Sequence, residues 1–180
     1  MTSYPDIINF WFEKIEPESW WKQDEAFDQD IRDRFLDVYQ RAAKCELFEW
    51  RQDALGWLSE VIVLDQFPRN MFRDTPQAFS TDPMAVILVQ EAVANQVDKE
   101  LTATQKSFLY MPLMHSESSL IHETAMDLYS QPGLEYNLDF EKKHKAIIDR
   151  FGRYPHRNTI LGRISTDEEV EFLKEPGSSF

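Results

Sequence analysis

Four arginines and two histidines crowd one stretch of this 180-residue chain: Arg150, Arg153, Arg157 and Arg163 with His144 and His156, where Asp149 is the sole acid between His144 and Arg163. Guanidinium groups are planar, forked donors that match carboxylate and phosphate oxygens, and histidine is the side chain whose ordinary pKa lies nearest neutrality. The stretch therefore has the chemistry to hold an anion beside a group able to move a proton. It stands out because the chain as a whole carries a formal charge of -13.

A second segment shares its character. Asp65-Gln66-Phe67-Pro68-Arg69-Asn70, followed by Arg73, has the aromatic-proline-arginine-asparagine make-up of Arg153-Tyr154-Pro155-His156-Arg157-Asn158, followed by Arg163. In each, proline is expected to end a helix and force an extended step, so that arginine and asparagine donors project from the rim of a helical stack. Two such rims, brought together, make a pocket for an anion. The competing reading is structural: the same side chains tie loops to free carbonyls at helix ends, or pair with Asp65 and with an acidic final helix.

The third group is Met114-His115-Ser116-Glu117-Ser118-Ser119, with His122 and Glu123 behind it. It follows Pro112, which is expected to kink or interrupt its helix, and His115 and Glu117 either bond the backbone groups freed there or line a pocket. His115 and His122 are about 10 Å apart along a helix axis, too far to share one zinc ion, so no metal site is expected. The serines lack the strand-turn-helix elbow of a serine hydrolase. With only five glycines in the chain there is no glycine-rich phosphate loop, so P-loop and dinucleotide-binding folds are excluded and no cofactor is expected. Five tryptophans and thirteen phenylalanines fall mostly at helical intervals among apolar residues, which core packing explains better than a stacking surface.

These groups must be positioned by helices. Pro5 suits the first turn of an apolar helix through Ile7, Phe10 and Trp11, and Pro17 with Trp20 and Trp21 marks a corner. From Asp24, residues Phe27, Ile31, Phe35, Val38, Tyr39 and Ala42 give an amphipathic helix of about five turns. Asp53 caps a nearly all-apolar helix expected to end at Asp65 and Gln66, and to be the central one. Asp82-Pro83 opens another that runs as far as Gln96, and Thr102 with Gln105 forms a capping box for the next. Leu120 to Tyr129 and Leu138 to Phe151 follow, with His144 facing inward and Gly152 as a stop. Ser165 or Thr166 caps a last short helix, DEEVEFLK, with acids in its first turn.

No stretch alternates as a strand would, so an all-α fold without a sheet is expected, its short connections favouring antiparallel helix pairs stacked on one another. Residues 1–180 read as a single domain with a loose tail over the last few residues. No apolar run reaches the roughly twenty residues needed to cross a bilayer, and the opening MTSYPDIINFWFEK lacks the basic and apolar regions of a secretory signal. A single cysteine, Cys45, suits a reducing compartment. A cytoplasmic location is expected, with no membrane partner. With a pI near 4.7 the chain repels nucleic acid, so no nucleic-acid partner is expected either.

The segments IINFWFEK, LDQFPRNMFR with AFSTDPMA, FLYMPLMHSES, and RFGRYPHRNTILGRISTDEEVEFL resemble those of a bacterial family of unknown function, the one numbered 924, in the same order along nearly the whole chain. That family is similar in fold to tetratricopeptide-type proteins, so the resemblance implies helix pairs stacked in a right-handed superhelix, but it implies no activity. The resemblance carries over Asp65 to Asn70, His115 to Glu117, and Arg150 to Arg163. Met114 stands where the family usually has an acid. Two functions fit: a binding module whose concave rim takes a small anionic ligand, a peptide carboxylate or a protein partner; or an enzyme on an anionic small molecule, with His156 or His115 as general acid or base and Glu117 orienting a histidine. The site residues common to these readings are Asp65, Gln66, Arg69, Asn70, Arg73, His115, Glu117, Arg153, His156, Arg157, Asn158 and Arg163.

Overall fold

The structure, a computed structural model, describes residues 2–179, and among them there is no β-strand. Eight α-helices follow in order: α1 (Tyr4–Ile8, continuing as the π-helical turn Asn9–Lys14), α2 (Glu25–Ala42), α3 (Ala54–Met71), α4 (Asp82–Ala94), α5 (Ala103–Met114), α6 (Ser119–Tyr129), α7 (Glu135–Phe151) and α8 (Asp167–Phe172). The expected caps are in place. Asp24 accepts from Ala26 and Phe27, Asp53 accepts from Gly56, and Thr102–Gln105 and Thr166–Glu169 form capping boxes. Gly152 ends α7 with a φ of 67°, a left-handed conformation that glycine adopts at no steric penalty.

Helix α3 is the hub, packing against α1, α2, α4 and α5. Its residues from Leu58 through Pro68 are all buried, as expected of a helix apolar on every face. Gly56 near its start has no room for a side chain, since a Cβ there would lie 1.8 Å from the Trp50 carbonyl oxygen. The main core joins Ile7, Phe10 and Trp11 to Phe35, Phe67, Phe108 and Tyr110. A smaller cluster, Ile147, Ile148, Tyr154 and Phe172, closes the far end of α7 against α8. Near the chain's end Ser178 is buried and donates to the Leu173 carbonyl; the rest of the expected tail includes Phe180, which lies outside the described residues.

Two proline expectations are corrected. α3 does not stop at Asp65 and Gln66 but runs through Pro68 to Met71, and α5 runs through Pro112 to Met114. Proline at position 68 removes the N–H that would reach the Leu64 carbonyl. The Thr81 hydroxyl donates to that carbonyl instead, at 2.6 Å. Arg69 also turns back on its own helix, donating to the Asp65 carbonyl at 2.7 Å. Asp65 and Gln66 therefore lie on a continuous helix inside the protein, not on an extended rim.

Candidate functional site

The C-terminal turns of α3 and α5 end side by side, and the loop from Tyr154 to Arg157 packs across them. Between these parts, one face of α7 and the Trp20–Trp21 corner lies a cleft of about 770 Å³. Its wall includes Gln66, Arg69, Asn70, Arg73, His115, His156 and Arg157, seven of the twelve residues singled out above. A second, more open cavity of about 510 Å³ adjoins it and shares His115 and Arg157.

Asp65 lies directly behind this wall and is fully buried. A carboxylate out of water must be neutralised and bonded. The Arg69 guanidinium is 3.2 Å from its Oδ1, His115 Nδ1 is 2.8 Å from the same oxygen, and the Gln66 amide donates to Oδ2. Burial pushes the Asp65 pKa up, but Arg69 and His115 outweigh it and hold the carboxyl well below the usual range. Asp65 is thus the acceptor, and His115 Nδ1 carries the proton that it receives. Burial, reinforced by Arg69, lowers the His115 pKa below 6.5 despite the pull of Asp65. His115 is neutral at physiological pH, its Nε2 is bonded to no described residue, and the residue lines both cavities.

The arginines differ sharply in what their donors meet. Arg69 forks onto both oxygens of Asp82, the first residue of α4, at 2.8 and 2.9 Å. Arg73 does the same to Asp28 of α2, which also accepts from Asn70. Arg163 forks onto Glu117 at 2.6 and 2.9 Å, and its Nε donates to Asn158. Arg153 pairs with Glu169, and Arg150 with Glu168, both on α8. Arg157 is the exception. It is only 6% exposed, sandwiched between the Phe79 and Tyr154 rings with its centre 4.6 and 4.5 Å from their centroids. Among the described residues the only carboxylate within 4 Å of it is Asp82, at 3.5 Å, it donates no hydrogen bond to any of them, and its Nε is wholly buried and unbonded.

Not every candidate therefore belongs to the cleft. Arg153, Asn158 and Arg163 line neither cavity, and Glu117 lines only the smaller one. Glu117 orients no histidine; it accepts from the Tyr154 N–H and from Arg163, and although burial raises its pKa, those donors bring it below the ordinary value. Glu117 and Arg163, the latter braced by Asn158, staple the loop after α7 to the loop after α5, while Arg153 ties the first of these loops to α8. His156 lines the cleft, its pKa pushed down to about 4 by burial and by the adjacent Arg157, and its buried Nδ1 has no partner among the described residues. His144 faces the same space and donates to the Phe140 carbonyl, with burial lowering its pKa to about 3.

Several wall residues escaped the reading of the sequence. Asp82, which lines the smaller cavity, looked like a helix start, which it is; Trp20, Trp21 and Phe140 looked like core positions, and Tyr136 was passed over. Tyr154 is fully buried, its hydroxyl donating to the Met114 carbonyl. Behind it His122, also fully buried, lies 2.6 Å from Glu141 and bonds the Ser116 carbonyl, fixing the loop that follows His115.

A family profile described as bacterial protein of unknown function matches residues 7–177. Among solved structures, a protein of unknown function from Agrobacterium tumefaciens superposes with a TM-score of 0.87 at 37% identity, over 95% of this chain and 96% of that one. No curated protein matches the sequence. The chain is therefore a member of the bacterial family of unknown function numbered 924.

Proposed function

We propose that the cleft binds a small anionic molecule, with Arg157 as its anchor. One observation carries this reading: a buried guanidinium at the cleft wall with five N–H donors and no hydrogen bond to any described residue. Buried donors are ordinarily paired, and a charged one left unpaired carries a desolvation penalty that a carboxylate or phosphate oxygen would relieve. Phe79 and Tyr154 hold the group flat, so its fork is already oriented for a ligand.

The test is a binding screen of the full chain against carboxylates, phosphorylated metabolites and short peptides, read as a thermal shift and repeated on Arg157→Lys and Arg157→Ala. A ligand at a hundred times its Kd adds about 2.7 kcal/mol of stability, which the assay registers. Lysine keeps the charge but loses the fork, so Arg157→Lys should weaken binding at least tenfold. Unchanged binding in both variants would remove Arg157 from the site.

The Asp65–His115 pair favours a second reading, in which the bound molecule is also turned over. A neutral imidazole that lines the cleft, held by a carboxylate through one nitrogen and bonded to no described residue through the other, is the arrangement of a general base. His115→Ala would then lower turnover of a bound substrate about 10²–10⁴-fold. A variant that retains full turnover eliminates this reading and leaves the binding reading intact.

A further inference from the structure

The cleft has two chemically different ends. His115, Arg69 and Arg157 meet at one, where Asp65 and Asp82 match the two guanidinium charges and Asp65 accepts from the neutral His115. On α7, Tyr136 and Phe140 precede His144 by two turns and one turn, and their rings tilt against each other at 5.0 Å. On α5, Phe108 precedes His115 by about two turns and carries the corner rings, Trp20 edge-on at 4.8 Å and Trp21 stacked at 6.0 Å. Two helical turns are about 10 Å. An aromatic wall made of Trp20, Trp21, Tyr136 and Phe140 thus lies one to two helical turns, about 5–10 Å, from His115 and His144, and Met111 and Met114 line the same cleft.

Two of these rings are conspicuously wet. Trp21 is 57% exposed and Tyr136 67% exposed, although both belong to the cleft wall. Large aromatic faces exposed around a cavity that also holds convergent polar groups are the usual make-up of a small-molecule site, the apolar area supplying affinity and the polar groups orientation.

Charge bookkeeping narrows the polar end. Two guanidinium groups, Arg69 and Arg157, face two carboxylates, Asp65 and Asp82. Farther out, Arg73 is matched by Asp28 and Lys22 by Glu18, while Asp74 adds another acid to the wall. One negative charge can sit on the open donors of Arg157. A second would face Asp82, 3.5 Å from the same guanidinium, with every other lysine and arginine among the described wall residues already matched to a carboxylate.

We infer that the ligand is an amphipathic monocarboxylate, its carboxylate on the Arg157 fork and an aromatic-sized apolar body lying along Met111 and Met114 to the wall of Trp20, Trp21, Tyr136 and Phe140. This rests on the anion-binding reading of the same cleft and adds to it the charge, the length and the far end of the molecule.

The experiment is a titration of the full chain, followed by amide chemical shifts, with acetate, butyrate, hexanoate, 3-phenylpropionate, inorganic phosphate and phenyl phosphate. Affinity should rise about fourfold for each methylene from acetate to hexanoate, and 3-phenylpropionate should bind more tightly than phenyl phosphate. Tyr136→Ala and Trp21→Ala, at exposed positions, should each weaken 3-phenylpropionate at least fivefold and leave acetate unchanged. Should Trp21→Ala fail to fold, Tyr136→Ala decides alone. Equal binding of acetate and 3-phenylpropionate, tighter binding of phenyl phosphate, or indifference to Tyr136→Ala overturns the inference while anion binding stands. If none of the anions binds, both fall together.

Discussion

Arg157 and its neighbours Arg153 and Arg163 share a segment, yet only one of them keeps its donors free. The difference lies in partners that are distant in the chain: Arg163 finds Glu117 at a separation of 46 residues and Arg153 finds Glu169 at 16. Residue types and spacing pointed to the cluster; they had no means of telling which guanidinium would be matched, because the matching acids sit on other helices. His115 was equally visible as a titratable group, but its partner Asp65 is 50 residues away. That partnership makes a prediction. Since the folded pKa of His115 is lowered from 6.5, the ring is neutral at physiological pH and gains its proton only as the pH falls below the ordinary value. Nitrogen-detected NMR at neutral pH should find Nδ1 protonated and Nε2 bare. Asp65→Asn removes the obligatory acceptor and, with it, the coulombic support for a proton on the ring. The midpoint should then move lower still and the tautomer become mixed. A midpoint above 6.5 in the parent protein would contradict the arrangement. If a turnover is found, its acid limb should follow this midpoint, with activity present above it and lost below.

At the level of the elements, every expected helix is present, because periodicity, capping boxes and the Gly152 stop are local signals that the rest of the fold does not oppose. The end of α3 was misread, and Pro112 was expected to kink or interrupt an α5 that it does not interrupt, for one physical reason. A proline deletes one hydrogen bond and is read as a stop, but the deleted donor can come from elsewhere in the structure. For Pro68 it comes from Thr81, thirteen residues later in chain order, at the entry to α4. Since Leu64 and Thr81 are both buried, the bond is shielded from water. Thr81→Val keeps the shape and removes the hydroxyl, leaving the Leu64 carbonyl unbonded, which should cost about 1–3 kcal/mol. Thr81→Ser keeps the donor and should cost less than half as much. The comparison is made by urea unfolding at constant m-value. Equal losses for the two would mean that packing of the threonine methyl, not the bond, carries α3 past its proline. The stake is functional, because Arg69 and Asn70 follow Pro68 on the same helical turn and are aimed at the cleft by its continuation.

The aromatic wall shows what becomes visible only in the whole molecule. Trp20, Trp21 and Phe140 looked like core residues and Tyr136 was passed over, and a corner meeting the first half of a helix more than a hundred residues later is what turns the four into one side of a cleft. The same scale governs how an anion would reach it. The chain carries a formal charge of -13, so its long-range field repels an anion even though the end of the cleft is locally balanced. Screening acts on the field outside far more than on a buried contact: the Debye length falls from about 30 Å at about 0.01 M salt to about 8 Å at 0.15 M. The association rate of 3-phenylpropionate should therefore rise across that range, while its dissociation rate, set by the buried Arg157 contact and the apolar wall, stays nearly constant. Affinity would then increase with salt, the opposite of what a surface cluster of unmatched arginines would give. Stopped-flow measurement on the tryptophan fluorescence separates the two rates, since Trp20 and Trp21 border the cleft. An association rate that falls with salt would mean that the anion meets an exposed basic surface first, and would move the recognition site out of the cleft to the solvent-facing arginines.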